Sequence, residues 1–270
     1  MSAPPPLIEL RRVTVVRDLD RARAGGRPAL DDVTLSIDAG EHVCILGPNG
    51  CGKSTLIKTI TRECYPLARP ESSVRILGRE RWNVFELRER LGIVTPDLLA
   101  ACSTDATGRD VVLSGYFSST RIFRHHTPDA AQAAHSDALL ARFGVAHLAG
   151  VPVSRLSSGE AKRVLIARAL VHDPSSLLFD EPGNALDVAA HAALIATMAS
   201  LARGGVGIVL VTHHVEEIIP QIERIVMMKD GRVVADGPKA ELLTSERISA
   251  LFGLAVEVQR RGERYSLLKA

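Results

Sequence analysis

Eight residues near the start of the chain constrain the fold more than any other feature. Gly47-Pro48-Asn49-Gly50-Cys51-Gly52-Lys53-Ser54 fits the spacing G-x-x-x-x-G-K-[ST]. In that spacing the glycines let the backbone curl so that successive N–H groups point at phosphate oxygens. The loop works only between a strand and a helix, and both are predicted here. His42 to Leu46 is short, mostly apolar and bounded by Gly40 and Gly47, so it reads as a buried strand. Ser54 to Thr61 reads as a helix, whose positive end adds to the cradle. Lys53 reaches the β- and γ-phosphates, Ser54 is a candidate Mg²⁺ ligand through its hydroxyl, and Thr55 follows in the first turn. Strand, glycine turn and helix open a βαβ unit, so a mostly parallel sheet is expected.

About 130 residues further on, Ser176-Leu177-Leu178-Phe179 is an apolar strand ending in Asp180-Glu181. Asp180 at the strand end can hold a metal through a water, and Glu181 beside it can polarise an attacking water as general base. Just before it, Leu156-Ser157-Ser158-Gly159-Glu160 opens a helix running to His172. Ser157 with Glu160 is a capping box, sufficient to start any helix. Alternatively, Ser157, Gly159 and the helix N-terminus bind a γ-phosphate held by another subunit. The two readings are compatible, because N–H donors serve either role.

The rest of the chain fits an α/β protein. Leu7 to Leu10, Val13 to Val16 and Val33 to Ile37 alternate like paired strands around a basic loop at Arg21 to Arg27, giving an N-terminal antiparallel β-subdomain. From Pro96 onward the periodicity turns helical (Asp110 to Tyr116, Pro128 to Phe143), and a helical subdomain over about 96–172 is expected as an insertion. Asp187 to Ala202 reads as an alanine-rich helix before a buried strand, Val206 to Val211. Arg224 to Met228 and Arg232 to Ala235 form a hairpin-like end to the sheet. Residues 241–270 form an extension beyond a domain of 1–240: a helix over Ser245 to Phe252 and a strand pair around Val256 and Tyr265.

Composition narrows the function classes. In 270 residues there are 33 Lys plus Arg against 31 Asp plus Glu, with 46% apolar and 24% charged residues. That excludes a disordered chain, a collagen and a coiled coil, and the near-neutral balance argues against a dedicated nucleic-acid binder. The longest apolar runs fall short of the roughly 18 residues that span a bilayer, so no direct membrane insertion is expected. Met1 to Leu7 is proline-rich without the apolar stretch of a signal peptide. Cys44, Cys51, Cys64 and Cys102 show no C-x-x-C spacing and read as reduced thiols of a cytoplasmic protein. His125, His126 and His135 read as a polar surface loop rather than a metal site.

Taken together, these motifs resemble the nucleotide-binding subunits of ATP-binding cassette (ABC) proteins over about residues 7 to 240. The loop Gly47 to Ser54 comes first, and Leu156 to Glu160 is similar to the signature LSGGQ. Leu177 to Glu181 is similar to the Walker B strand, and Asn184-Ala185-Leu186-Asp187 to the D-loop SALD. Thr212-His213 follows the next strand as the switch histidine does. The resemblance implies a P-loop NTPase core, ATP and Mg²⁺ as cofactors, and a head-to-tail homodimer or ABC heterodimer with two ATP molecules between phosphate loop and opposing signature. Lys53 and Ser54 then hold nucleotide and metal, Asp180 supports the metal, Glu181 is the base and His213 contacts the γ-phosphate. Ser157, Ser158, Gly159, Glu160 and Asp187 complete the partner's site.

Three positions depart from the family pattern. Leu91-Gly92-Ile93-Val94-Thr95-Pro96-Asp97 contains no glutamine where the family has a metal-ligating, partner-sensing one; Asp97 is the carboxylate left to take that place. The signature carries Ser158 and Glu160 in place of Gly and Gln. Arg17 stands where an aromatic usually stacks on adenine, and a guanidinium plane can also stack on a base. Two functions follow: the motor subunit of a transporter docked on a separate membrane permease at the inner face of the membrane, or a soluble regulatory or repair-associated ATPase. Asp110 to Gly115 and Gly231 to Pro238 resemble importer ATPases of the ferric-siderophore and vitamin B12 type. They also resemble soluble molybdenum or photorepair-type relatives.

Overall fold

The computed structural model describes residues 5–17, 27–102 and 105–269. The chain divides into two compact units, Met1–Val84 with Gly207–Ala270, and Phe85–Val206.

The first unit opens with β1 (Ile8–Val15) and β2 (Leu30–Ile37), antiparallel partners. Along β2, Val33, Leu35 and Ile37 are buried while Thr34 and Ser36 face out, the alternation of a sheet with one wet face. The segments Leu7 to Leu10 and Val13 to Val16 belong to one strand, not two. Arg12 takes a left-handed φ of 47° at one shift of register, and Asp32, at 55°, lies at the next. An Arg12 Nε donor to Asp32 Oδ1 at 3.0 Å closes the bulge. The predicted strand β3 (His42–Leu46) leads into the glycine loop and α1 (Lys53–Ile60). A further strand, β4 (Ser73–Ile76), pairs with the other edge of β1. It is too short for its periodicity to show in the sequence. The basic loop read at Arg21 to Arg27 lies, but for Arg27, outside the described residues.

The second unit starts with α2 (Val84–Arg90), β5 (Leu91–Val94) and α3 (Pro96–Cys102). Its helical part continues with α4 (Gly108–Ser114), α5 (Ala130–Arg142) and α6 (Ser158–Ala169). Strand β6 (Ser176–Asp180) pairs in parallel with β5, and α7 (Val188–Arg203) follows. Leu194, Ile195, Met198 and Leu201 are the buried stripe of α7.

Returning to the first unit, β7 (Gly207–Thr212) and β8 (Arg224–Lys229) flank β3, both parallel to it, and β9 (Arg232–Pro238) closes antiparallel on β8. Val43 to Leu46 and Ile208 to Val211 are fully buried, the unbroken apolar runs of strands covered on both faces. After α8 (Lys239–Leu242) and α9 (Ser245–Phe252), β10 (Val256–Arg261) and β11 (Arg264–Lys269) form a hairpin. It is tied down by Val258 N donating to Ser245 Oγ and Leu267 N to Glu216 Oε1, at 2.9 and 3.0 Å. No helix among the described residues is long and apolar enough to cross a membrane.

Candidate functional site

In the first unit, the loop from Gly47 to Ser54 joins β3 to α1, as the spacing requires. A Cβ on Gly47 would collide with the Met228 carbonyl oxygen and with Cys51 Sγ. Gly52, at φ 107°, is the N-cap of α1, where a Cβ would lie 2.5 Å from the Ala29 carbonyl oxygen. Both positions therefore need glycine. Gly47 N donates to Thr212 O at 3.3 Å, placing His213 one residue from the loop's base, where it packs against His214. From the other side, Gly231 N donates to Cys51 O at 2.9 Å. Asn49, Gly50 and Ser54 are exposed. The Lys53 side chain is buried, its Nζ donating to Gly47 O at 2.8 Å and Pro48 O at 3.0 Å. Burial pushes the Cys51 thiol above its usual range, with Lys53 pulling the other way. Thr55 is buried, and its carbonyl accepts from Thr59 Oγ1. Arg17 is exposed just past the end of β1.

In the second unit, Asp180 ends β6 and Glu181 follows at a left-handed φ of 43°. Both face a cavity of about 330 Å³, which Pro96, Ser158, Lys162 and Asn184 also line. Two of these contributors, Lys162 and Asn184, escaped the sequence reading as functional side chains. Asn184 Nδ2 donates to Glu181 Oε2 at 2.6 Å. Lys162 Nζ donates to Pro182 O at 2.5 Å and to Asn184 O. Asn184 opens the segment similar to the D-loop and Lys162 lies two residues past the signature; no local pattern distinguishes either.

The signature segment forms the capping box complete. Glu160 N donates to Ser157 Oγ, while Ser157 Oγ and N donate to Glu160 Oε2 at 2.7 and 2.9 Å. Ser157 thereby holds the Glu160 carboxyl below the ordinary glutamate range, its hydroxyl first and its backbone N–H second. A Cβ on Gly159 would lie 2.9 Å from that of Ala190, so the signature turn packs against the start of α7. Asp187 is the N-cap of α7, its Oδ1 accepting from Ala190 N at 2.7 Å. Thr95 Oγ1 accepts from Leu98 N at 3.2 Å and caps α3, with Pro96 as its first residue. Asp97 is exposed on α3 and is not among the cavity's lining residues.

The donor chemistry suits a magnesium–nucleotide pair. In the first unit the exposed Ser54 hydroxyl is a hard oxygen donor, and Mg²⁺ is commonly bound by one or two protein oxygens with phosphates and waters supplying the rest. The lack of a side-chain cap at Gly52 and of an acidic residue in the first turn of α1 suits an anion.

Comparison with known proteins points to one family. A family model described as ABC transporter matches residues 30–184. The hemin import ATP-binding protein HmuV of Nocardia farcinica is 34% identical over 242 residues, covering 87% of this chain and 81% of that protein. Among solved structures, CbiO1 from Clostridium perfringens, part of the ABC transporter complex CbiONQ, superposes with a TM-score of 0.72 at 25% identity, covering 91% of this chain and 94% of that one. The ATP-binding cassette MJ0796, in a dimeric post-hydrolysis state bound to ADP and Pi, superposes with a TM-score of 0.70 at 26% identity, covering 86% and 98%.

Proposed function

This chain belongs to the ABC transporter family as one of its ATP-binding, ATP-hydrolysing subunits, and on that premise we propose how its residues divide the work. The observation that carries the proposal is the loop joining β3 to α1, with buried Lys53 and two positions that admit only glycine. Its N–H groups take the phosphate oxygens, and Lys53 turns its ammonium to the β- and γ-phosphates. Ser54 and Asp180, the latter through a water, hold Mg²⁺, which neutralises charge on the phosphate oxygens when bound. Glu181 accepts the proton of the attacking water, His213 contacts the γ-phosphate, and Arg17 stacks on the base. Asp97, exposed on α3, is the carboxylate proposed in place of the family's glutamine. A second copy, or a related cassette, supplies Ser157, Ser158, Gly159, Glu160 and Asp187 to complete the site. The bulk of the catalysis is positioning and charge neutralisation, because phosphoryl transfer leaves the protein little covalent work.

ATP turnover then drives transport through a separate membrane-spanning permease, on whose cytoplasmic face the subunit sits. Import is the direction we assign, as in the hemin import named for the Nocardia relative.

Phosphate release by purified protein with Mg-ATP tests the chemistry. Glu181→Gln is expected to retain ATP but hydrolyse it about a hundredfold to ten-thousandfold more slowly, the usual worth of a general base. Turnover at the parental rate would show that the base lies elsewhere. Co-purification from detergent-solubilised membranes tests the coupling: a multi-span partner is expected. Its repeated absence would favour the soluble ATPase, the reading to which Pro96, in place of the family's glutamine, lends weight.

A further inference from the structure

The turn carrying Glu181 is held by two side chains that none of the motif readings assigns a role. Glu181 adopts a left-handed φ of 43°, and Ala185, four residues on, another at 61°. Such conformations are uncommon for residues with side chains and persist where surrounding contacts fix them. The fixing contacts are specific. Asn184 N returns to Glu181 O at 3.2 Å and closes the turn. The Asn184 side-chain amide then donates to the Glu181 carboxylate at 2.6 Å, a short bond to an ionised acceptor. Lys162, one helical turn after Ser158 on α6, donates to the carbonyls of Pro182 and Asn184 and so clamps both sides of the same turn.

We propose that Asn184 and Lys162 are positioning residues for hydrolysis: Asn184 orients the Glu181 carboxylate, and Lys162 holds the backbone from which Asn184 reaches it. The inference rests on Glu181 being the base. A carboxylate on a free turn samples several directions, and only one aligns it with a water in line with the γ-phosphate. The amide donor at Oε2 removes that freedom. Neither residue is proposed to touch nucleotide, so turnover and ATP binding respond differently.

The test is steady-state hydrolysis beside direct binding of a fluorescent ATP analogue. Asn184→Asp keeps the side-chain shape but replaces the donor with a charge facing Glu181. Its kcat is expected to fall about tenfold to a hundredfold, the scale set by misplacing a reacting group by about an ångström, while KM and analogue affinity stay within about twofold. Asn184→Ser, with a donor on a shorter arm, is expected to give intermediate turnover. Lys162→Met is expected to follow Asn184→Asp, and Lys162→Arg to recover part of the loss. Combined with Glu181→Gln, Asn184→Asp should cause no further loss, because the group it orients is gone. Parental kcat in Asn184→Asp, an equal fall in kcat and analogue affinity, or an additive loss in the double variant would each overturn the assignment. Parental turnover by Glu181→Gln alone would instead overturn the reading of the base on which it stands.

Discussion

Helix α1 begins at Lys53 behind a glycine that offers no side chain to its first N–H groups. Helix α6 begins at Ser158 behind Ser157, whose hydroxyl and backbone are both tied to Glu160. Both helix starts are proposed to meet phosphate, yet only the second has a side chain capping its first N–H groups. At α6, Ser157 Oγ already occupies the Glu160 N–H, and a carboxylate adds negative charge where the helix dipole would favour a phosphate. A phosphate arriving there competes with Glu160. The difference assigns the two ends different tasks. On the proposed division of work, the loop before α1 holds nucleotide within one chain, whereas the α6 end engages once a second chain presents nucleotide already held. An order of events follows, with binding in one chain preceding closure of two.

Disabling the loop before α1 is the most direct way to break that comparison. Lys53→Ala takes away the ammonium now held by the Gly47 and Pro48 carbonyls. A hydrogen bond to a charged group contributes about 1.5–3 kcal/mol, so calorimetric ATP affinity should weaken by about tenfold to a hundredfold. Changes at the α6 end should leave the affinity of isolated chains nearly untouched. Unchanged ATP binding by Lys53→Ala would mean that α1 is not the receptor, and the contrast between the two helices would lose its functional meaning.

What could be read in the sequence divides along the same line. The phosphate loop, β3 and α9 were legible because each is specified by adjacent residues: glycines at fixed offsets, an apolar run between glycines, an amphipathic stretch. The capping box was legible for the same reason, since Ser157 and Glu160 are one turn apart. The continuity of β1 was hidden, because Arg11-Arg12 looks like a break until Asp32, on the neighbouring strand, is known to hold the bulge. Thr95-Pro96-Asp97 was weighed for a missing glutamine, although a Thr cap before Pro is an ordinary helix start. Asn184 and Lys162 were out of reach for a deeper reason. One depends on the left-handed backbone at Glu181 and the other on α6 lying beside the turn after β6, and no sequence window contains both facts.

The α6 end yields the smallest and most specific effect. Ser157→Ala removes the hydroxyl that caps α6, at a cost of about 1 kcal/mol for a lost N-cap, which for a chain of this size lowers Tm by about 2–4 °C. The effect should depend on pH with a definite sign. Ser157 depresses the Glu160 carboxyl below its ordinary value of 4.5 in the folded chain. The box therefore contributes fully above that value and loses its contribution as pH falls through the depressed one. The melting difference between the parent and Ser157→Ala should hold steady from about pH 7 to pH 5 and narrow below about pH 4.5. A gap that persists unchanged to about pH 3 would show that the ionised Glu160 is not what Ser157 holds. The contrast with α1 would then rest on the Ser157 hydroxyl alone, which still meets the Glu160 N–H.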